Sequence, residues 1–491
     1  MTDLSPQQLA VVTSDAARKK CIAGAGTGKT RLLVGQIAYW IERGVPPDQI
    51  MATTFTRRAG EELRRRVMYE TGAELGWVGT IHAFCLETLW DSGRYLVPLD
   101  AVDLRLVVEH VATDMKLTSA DMGAVVRWIS GDSKAKAISG VERGLAGEVR
   151  TYMMRNKLVW IGDMLKVWLA AFVRDEKLRA VSKARAGWIL FDEYQDSCDE
   201  EVRIHEALEP ESIIVVADAR QAIYQFRGAS PKWMNEFDGE LHELTTNYRS
   251  CTSIVAEGNR VAPPGYAPMV ANREEPGLVV TWTGSPDERG DLLESLVADS
   301  ETPVYVLART NRELAQWGRD LKHAGMDVLV VSTKMDPYDT KDWRSAYACA
   351  RWVMDRNNPW LTTAVSALAA TGRVDLEWIQ FDVEETDSMH RLCLALPALA
   401  DVADKAKRMT VRDYAFWYGA RDLQDQLPDD EDAPDVVCLS AHGSKGLEFD
   451  TVVLADVGGR LGGREGEGEK ELLYVGVTRA VEKLVMEIRD V

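Results

Sequence analysis

Apolar positions along this chain follow two periods, and the switches between them mark out its elements. Lys20-Cys21-Ile22 reads as a short buried strand. After a glycine-rich break, residues 29–43 read as a helix, with Leu33, Ile37 and Ile41 on one stripe and Gly44 as the stop. Gly187-Trp188-Ile189-Leu190-Phe191 and Ile213-Ile214-Val215-Val216 are short apolar runs of strand length, each closed by an acidic residue. Leu158, Ile161, Leu165 and Trp168 recur at helical spacing and predict a helix there. Strands alternating with helices predict an α/β fold with parallel sheets.

The break between the first strand and helix carries chemistry. Ala23-Gly24-Ala25-Gly26-Thr27-Gly28-Lys29-Thr30, followed by Arg31, has the G-x-x-x-x-G-K-T form with Ala23 in the first position. Glycines let successive backbone N–H groups curl toward phosphate oxygens. Lys29 then reaches the β- and γ-phosphates, the Thr30 hydroxyl ligates Mg²⁺, and the helix N-terminus adds its dipole. The competing reading is a plain glycine-rich turn, which the strand–loop–helix context disfavours.

Downstream, Asp192-Glu193-Tyr194-Gln195-Asp196 follows an apolar strand, where parallel α/β sheets bind ligands. Asp192 suits a Mg²⁺ ligand, and Glu193 suits the group that orients and deprotonates an attacking water. Asp218 closes the next strand, and Gln221 is placed to sense the γ-phosphate. Tyr224 or Phe226 is a candidate to stack on a base. Taken alone, those aromatics read more readily as core than as a base platform.

Composition narrows the setting. The chain has 491 residues, 46% hydrophobic and 27% charged, enough for several globular domains. The N-terminus lacks a charged region followed by an apolar run, and no stretch is long and apolar enough to span a membrane. Seven dispersed cysteines without a C-x-x-C pair argue for a reducing, cytoplasmic setting and against a zinc site. The net charge of −19 argues against whole-surface attraction to nucleic acid, so any such binding needs a local groove. Arg57-Arg58 and Arg64-Arg65-Arg66 are candidates for it, although the second run reads equally as a solvated helix face.

The ordered motifs resemble the UvrD/Rep/PcrA group of superfamily 1 DNA helicases. Leu4-Ser5-Pro6-Gln7-Gln8 is similar to the group's adenine-reading segment, with Gln8 in the glutamine position. Thr54-Phe55-Thr56-Arg57, Gly79-Thr80-Ile81-His82, Thr246-Asn247-Tyr248-Arg249, Arg309-Thr310-Asn311, Ser440 to Phe449 and Leu473 to Ala480 resemble further motifs in family order. The resemblance implies that Tyr248 stacks on adenine and that Glu448 contacts the ribose or the phosphate side of the nucleotide. It implies that Arg249 and Arg479 bring positive charge to the γ-phosphate from a facing domain. It also places Phe55, His82, Tyr224, Phe226, Arg227, Arg309 and Asn311 along a single-strand channel. Stacking there is worth about 1–3 kcal/mol per base and tolerates any sequence.

The architecture implied is two RecA-like domains with ATP between them, each carrying an inserted, mainly helical subdomain. The expected boundaries are 1–88 and 185–249 for the first core, 89–184 for its insertion, 250–340 and 429–491 for the second core, and 341–428 for a short second insertion. Apolar runs at residues 278–281, 304–308, 328–331, 436–439 and 451–455 suit strands of the second core. Asp429-Asp430-Glu431-Asp432 reads as a solvated linker, and residues 458–468 as a loop.

Three departures bear on function. The second insertion is compact, Lys470-Glu471 interrupts a usually basic run, and the sequence reaches Val491 soon after Arg479, where the resemblance places a duplex-splitting hairpin. The leading expectation is an ATP- and Mg²⁺-dependent 3′–5′ helicase or single-strand translocase acting on single-stranded or tailed duplex DNA. The alternative is a non-unwinding, DNA-stimulated ATPase that senses DNA or loads a nuclease partner in repair or defence. A structural DNA binder with a dead nucleotide site is disfavoured, because Lys29, Thr30, Asp192, Glu193, Gln221, Arg249 and Arg479 are all intact by type.

Overall fold

The computed structural model describes residues 4–117, 120–131, 137–225, 228–331, 341–354, 365–366, 396, 433–459, 461–463 and 468–488. The chain divides into two compact units. The first comprises Met1–Phe84, Leu169–Met335 and Gln426–Val491, and the second Cys85–Trp168 and Asp336–Asp425.

The first unit contains two six-stranded sheets, parallel throughout. In one, the strands lie edge to edge in the order Trp77–Gly79, Ile50–Thr53, Trp188–Phe191, Ser212–Ala217, Arg18–Ala23 and Glu240–Leu244. In the other the order is Leu278–Trp282, Ala480–Glu487, Phe449–Leu454, Val304–Ala308, Val436–Ser440 and Val328–Val330. Central strands are buried on both faces, which is why they read as apolar runs rather than alternations. Each strand expected from those runs is present, within a residue or two at its ends.

The helix Lys29–Glu42 shows how local sequence sets up the site. Leu32, Leu33, Ile37 and Trp40 bury one face against Val11, Cys21, Ala52 and Ile214. Each such side chain contributes about 1.5–3 kcal/mol on burial. Gly28 caps the helix at φ 79°, left-handed backbone that a side chain would strain. The turn is thereby held open toward the C-terminal edge of the sheet.

The second unit has one core built from both of its chain segments. Leu104, Val107, Val111, Val125, Leu145 and Val149 pack with Ala346, Tyr347 and Ala350 of the helix Lys341–Met354. Arg351 spans the two segments, donating to the buried Asp103 carboxylate at 2.7 Å.

The helix expected from Leu158 onward begins later. Leu158–Trp160 is a short strand paired in parallel with Val97–Leu99, and the α-helix starts at Met164. Lys157 has a φ of 57°, breaking the preceding helix, and Ile161–Asp163 forms a 3-10 turn. Spacing of i, i+3, i+7 is satisfied by a strand, a turn and a helix in succession, so periodicity over so short a run could not separate the two. The acidic stretch 429–432 and residues 460 and 464–467 of the glycine-rich loop lie outside the described residues.

Candidate nucleotide and nucleic-acid site

The phosphate-loop residues Gly24 to Thr30 connect the strand Arg18–Ala23 to its helix at the C-terminal edge of the first sheet. The loop is braced from three directions. Gln8 donates its amide N–H groups to the carbonyls of Thr27 (3.1 Å) and Gly28 (3.2 Å), while its oxygen accepts from the Ser5 backbone in a capping box. Asn247 donates to the Ala25 carbonyl at 2.8 Å, and the Tyr248 backbone N–H donates to that of Gly26 at 2.8 Å. Thr27 closes the turn on the Gly24 carbonyl at 2.8 Å. A Cβ at Gly26 would lie 2.7 Å from Asn247, so the close approach requires glycine there. Tyr248 is 39% exposed beside the loop. Arg31 is exposed on the first turn of the helix.

Opposite the loop, the strand Trp188–Phe191 delivers Asp192 and Glu193. Glu193 sits in left-handed backbone at φ 53°, turning its carboxylate toward Lys29 (3.9 Å) and Lys445 (3.8 Å). Burial alone would raise its pKa, but the two ammonium groups outweigh that and hold it below the usual carboxylate range. Asp192 moves the other way, raised by burial and by the neighbouring Glu193 charge. The Lys29 and Lys445 charges offset only part of that rise.

Thr30 and Asp192 are a hydroxyl and a carboxylate, the hard oxygen donors Mg²⁺ prefers. No group of three or more His, Cys, Asp or Glu among the described residues could hold a metal by itself. These residues therefore fit Mg²⁺ carried with a nucleotide.

Arg479, just before the strand Ala480–Glu487, and Arg249, just after the short strand Thr246–Asn247, contribute the remaining charges. Arg479, 2% exposed, donates to the Gln221 side-chain oxygen at 3.1 Å, to the Leu447 carbonyl at 2.9 Å and to the Val475 carbonyl at 3.1 Å. Burial, then the like charge of Arg249, pushes its pKa down to about 9. Arg249 pairs with Glu448 at 2.6 Å and donates to the Thr478 carbonyl at 3.3 Å. Gln221 is oriented from behind by Asp218, which accepts its amide at 2.8 Å and also pairs with Arg220 at 2.7 Å.

The structure thus brings Gln8, Lys29, Glu193, Gln221, Tyr248, Arg249, Glu448 and Arg479 together around the loop. Of the residues expected along a nucleic-acid channel, Phe55 and Tyr224 stack on one another, centroids 4.8 Å apart and planes 19° apart, with Phe55 exposed. His82 is half-buried on the helix Ile81–Asp91, and burial lowers its pKa, favouring the neutral ring. Arg309 is engaged by Glu469, donating through Nε at 3.1 Å and Nη2 at 2.8 Å. Asn311 opens the helix Asn311–His323 one residue after its Thr310 cap. Phe226 and Arg227 lie outside the described residues. Arg57, Arg58 and Arg64 to Arg66 are exposed on the helix Arg57–Thr71, where Arg65 and Arg66 pair with Glu62, in keeping with a solvated face.

Sequence reading passed over Asn247, Gln195, Asp196 and Lys445. All four stand inside quoted motifs, but their partners are remote. Gln195 accepts from the Asp218 backbone N–H at 3.0 Å, and Lys445 pairs with Asp196.

Residues 4–97 and 134–242 match the UvrD/REP helicase N-terminal domain, and residues 435–486 match the UvrD-like helicase C-terminal domain. The chain belongs to the UvrD/Rep/PcrA group. It is similar to the ATP-dependent DNA helicase UvrD1 of Mycobacterium tuberculosis, 27% identical over 61% of this chain and 43% of that protein. The ATP-dependent DNA helicase UvrD2 of the same species is 26% identical over 97% of this chain and 77% of its own length. The ATP-dependent DNA helicase PcrA of Bacillus subtilis is 26% identical, over 72% and 53% respectively. The chain thus spans less than half the length of the UvrD1 relatives it matches.

Proposed function

We propose that this protein hydrolyses ATP to move 3′ to 5′ along single-stranded DNA, including the tail of a partial duplex. The observation that carries the reading is the Arg479–Gln221 hydrogen bond, a residue of the second sheet's domain bonded to one of the first beside Lys29 and Glu193. A cluster assembled from two domains changes with their separation, which is what coupling hydrolysis to motion requires.

Backbone N–H groups of residues 24–30 and Lys29 would hold the phosphates, and the exposed Tyr248 ring would receive adenine. Mg²⁺ at Thr30 and Asp192 would neutralise phosphate charge as it shifts. Glu193, kept ionised by two lysines, orients the attacking water and takes its proton. Arg249 and Arg479 stabilise the transferring phosphoryl group, and Gln221 reports its presence to the segment bearing Tyr224. Phe55 and Tyr224 offer aromatic faces to bases without reading sequence.

The test is displacement of a labelled strand from a 3′-tailed duplex, with phosphate release followed in the same tube. Tail-stimulated hydrolysis with displacement supports a helicase. Stimulated hydrolysis without displacement supports a translocase or DNA sensor. Hydrolysis indifferent to DNA overturns the reading.

A further inference from the structure

Lys445 stands on the loop between the strands Val436–Ser440 and Phe449–Leu454 of the second sheet, yet its ammonium group lies among residues of the first. It is 7% exposed. It pairs with Asp196, donates to the Gln221 carbonyl at 2.8 Å and lies 3.8 Å from Glu193 Oε2. It also sits over the Tyr224 ring, 5.1 Å from the centroid. The same ring stacks on Phe55, which is exposed.

One cation therefore touches the hydrolytic glutamate, the backbone of the phosphate-sensing glutamine and the aromatic pair offered to bases. Its stem is anchored in the opposite domain. A buried ammonium group cannot be left without partners, so displacement of the Tyr224 ring has to be answered by movement of Lys445 or by loss of the contact. Any such movement alters the field and the position of Glu193. Gln221 alone offers a longer route, since its side chain faces Asp218 and Arg479 rather than the ring.

We propose that Lys445 is the positioning residue through which a base stacked at Tyr224 sets the hydrolytic competence of Glu193. This rests on the reading that Phe55 and Tyr224 receive bases. Phosphate coordination by Lys445 alone would serve hydrolysis equally with and without DNA, and that difference makes the inference testable.

The experiment compares steady-state hydrolysis by the full chain with and without saturating oligothymidylate, for the parent, Lys445→Met, Lys445→Arg and Tyr224→Leu. Lys445→Met should reduce the ratio of stimulated to basal turnover about thirtyfold, the scale of one desolvated cation–π contact. Lys445→Arg, which keeps a cation over the ring, should retain most of the ratio. Tyr224→Leu should lose the ratio too, and adding Lys445→Met to it should lower the ratio no further. Equal loss of basal and stimulated rates in Lys445→Met, with the ratio unchanged, overturns the inference while leaving the DNA reading intact. Multiplicative loss of the ratio in the double variant overturns it as well. A parent chain without stimulation by oligothymidylate overturns the DNA reading and the inference with it. Should Lys445→Met melt early, the Tyr224→Leu and Lys445→Arg pair decides.

Discussion

Replacing Gln8 with alanine separates two roles that one glutamine could play at a nucleotide site. Its two amide N–H groups are committed to the Thr27 and Gly28 carbonyls, and its oxygen to the Ser5 backbone. Gln8 is 2% exposed, so water does not replace those donors freely. Each lost bond costs about 0.5–1.5 kcal/mol net, which puts the bracing of the loop at about 1–3 kcal/mol. Expressed wholly as loss of the phosphate-binding conformation, that is a rise of about 5- to 150-fold in KM. Both N–H groups are held by loop carbonyls, so KM for ATP and for GTP should rise by the same factor, with kcat changed less. Gln8→Glu keeps an acceptor for the Ser5 N–H but has no donors, so it should behave like Gln8→Ala if loop bracing matters and like the parent if only the helix cap matters. The assay is phosphate release at varied ATP and GTP. A rise in KM confined to ATP would refute the bracing argument and make Gln8 an adenine reader.

Glu193→Gln should retain nucleotide binding and lose at least about 100-fold in turnover, measured as phosphate release; turnover at the parental rate would remove Glu193 from the role of base. Arg289, 1% exposed, bonds Glu487 at 2.8 Å and Asp320 at 2.6 Å and lies over Trp317. Arg289→Met should cost about 3–5 kcal/mol in urea unfolding, because the buried Glu487 carboxylate loses its guanidinium partner, and adding Glu487→Gln should recover part of it; a loss under about 1 kcal/mol would contradict this. His205, buried against the Tyr194 hydroxyl, has its pKa driven down to about 3 by burial. The unfolded chain therefore takes up the proton first, so this contribution is complete above pH 6.5 and is lost as pH falls toward 3, by up to about 1.4 kcal/mol per unit. His205→Gln should show a shallower fall in melting temperature between pH 7 and 5 than the parent; parallel profiles would exclude His205 as a source of the slope.

Much of the site was legible because its chemistry is local. The loop from Ala23 to Thr30 curls through its own glycines, and Asp192 and Glu193 follow directly on a strand whose apolar run announces a buried parallel sheet. Most strands of both sheets announced themselves in the same way, but Ile50–Thr53, Trp77–Gly79, Glu240–Leu244 and Ala480–Glu487 did not. What the sequence by itself determined, then, were the elements and the residue types at their ends, since both depend on neighbours within a few positions.

The tertiary structure decided which of those residues meet. Leu158 became a strand residue because Val97–Leu99 was available to pair with it. Arg309 is held by Glu469, 160 positions away, and Lys445 reaches Asp196 across 249. The two segments of the second unit share one core that neither displays alone. A hydrogen bond or ion pair forms over about 3 Å whatever the separation along the chain. Periodicity and motif spacing report only the near neighbours. Partners are chosen when folding brings distant carbonyls and charges into one desolvated place, where an unmet donor or charge is too costly to keep.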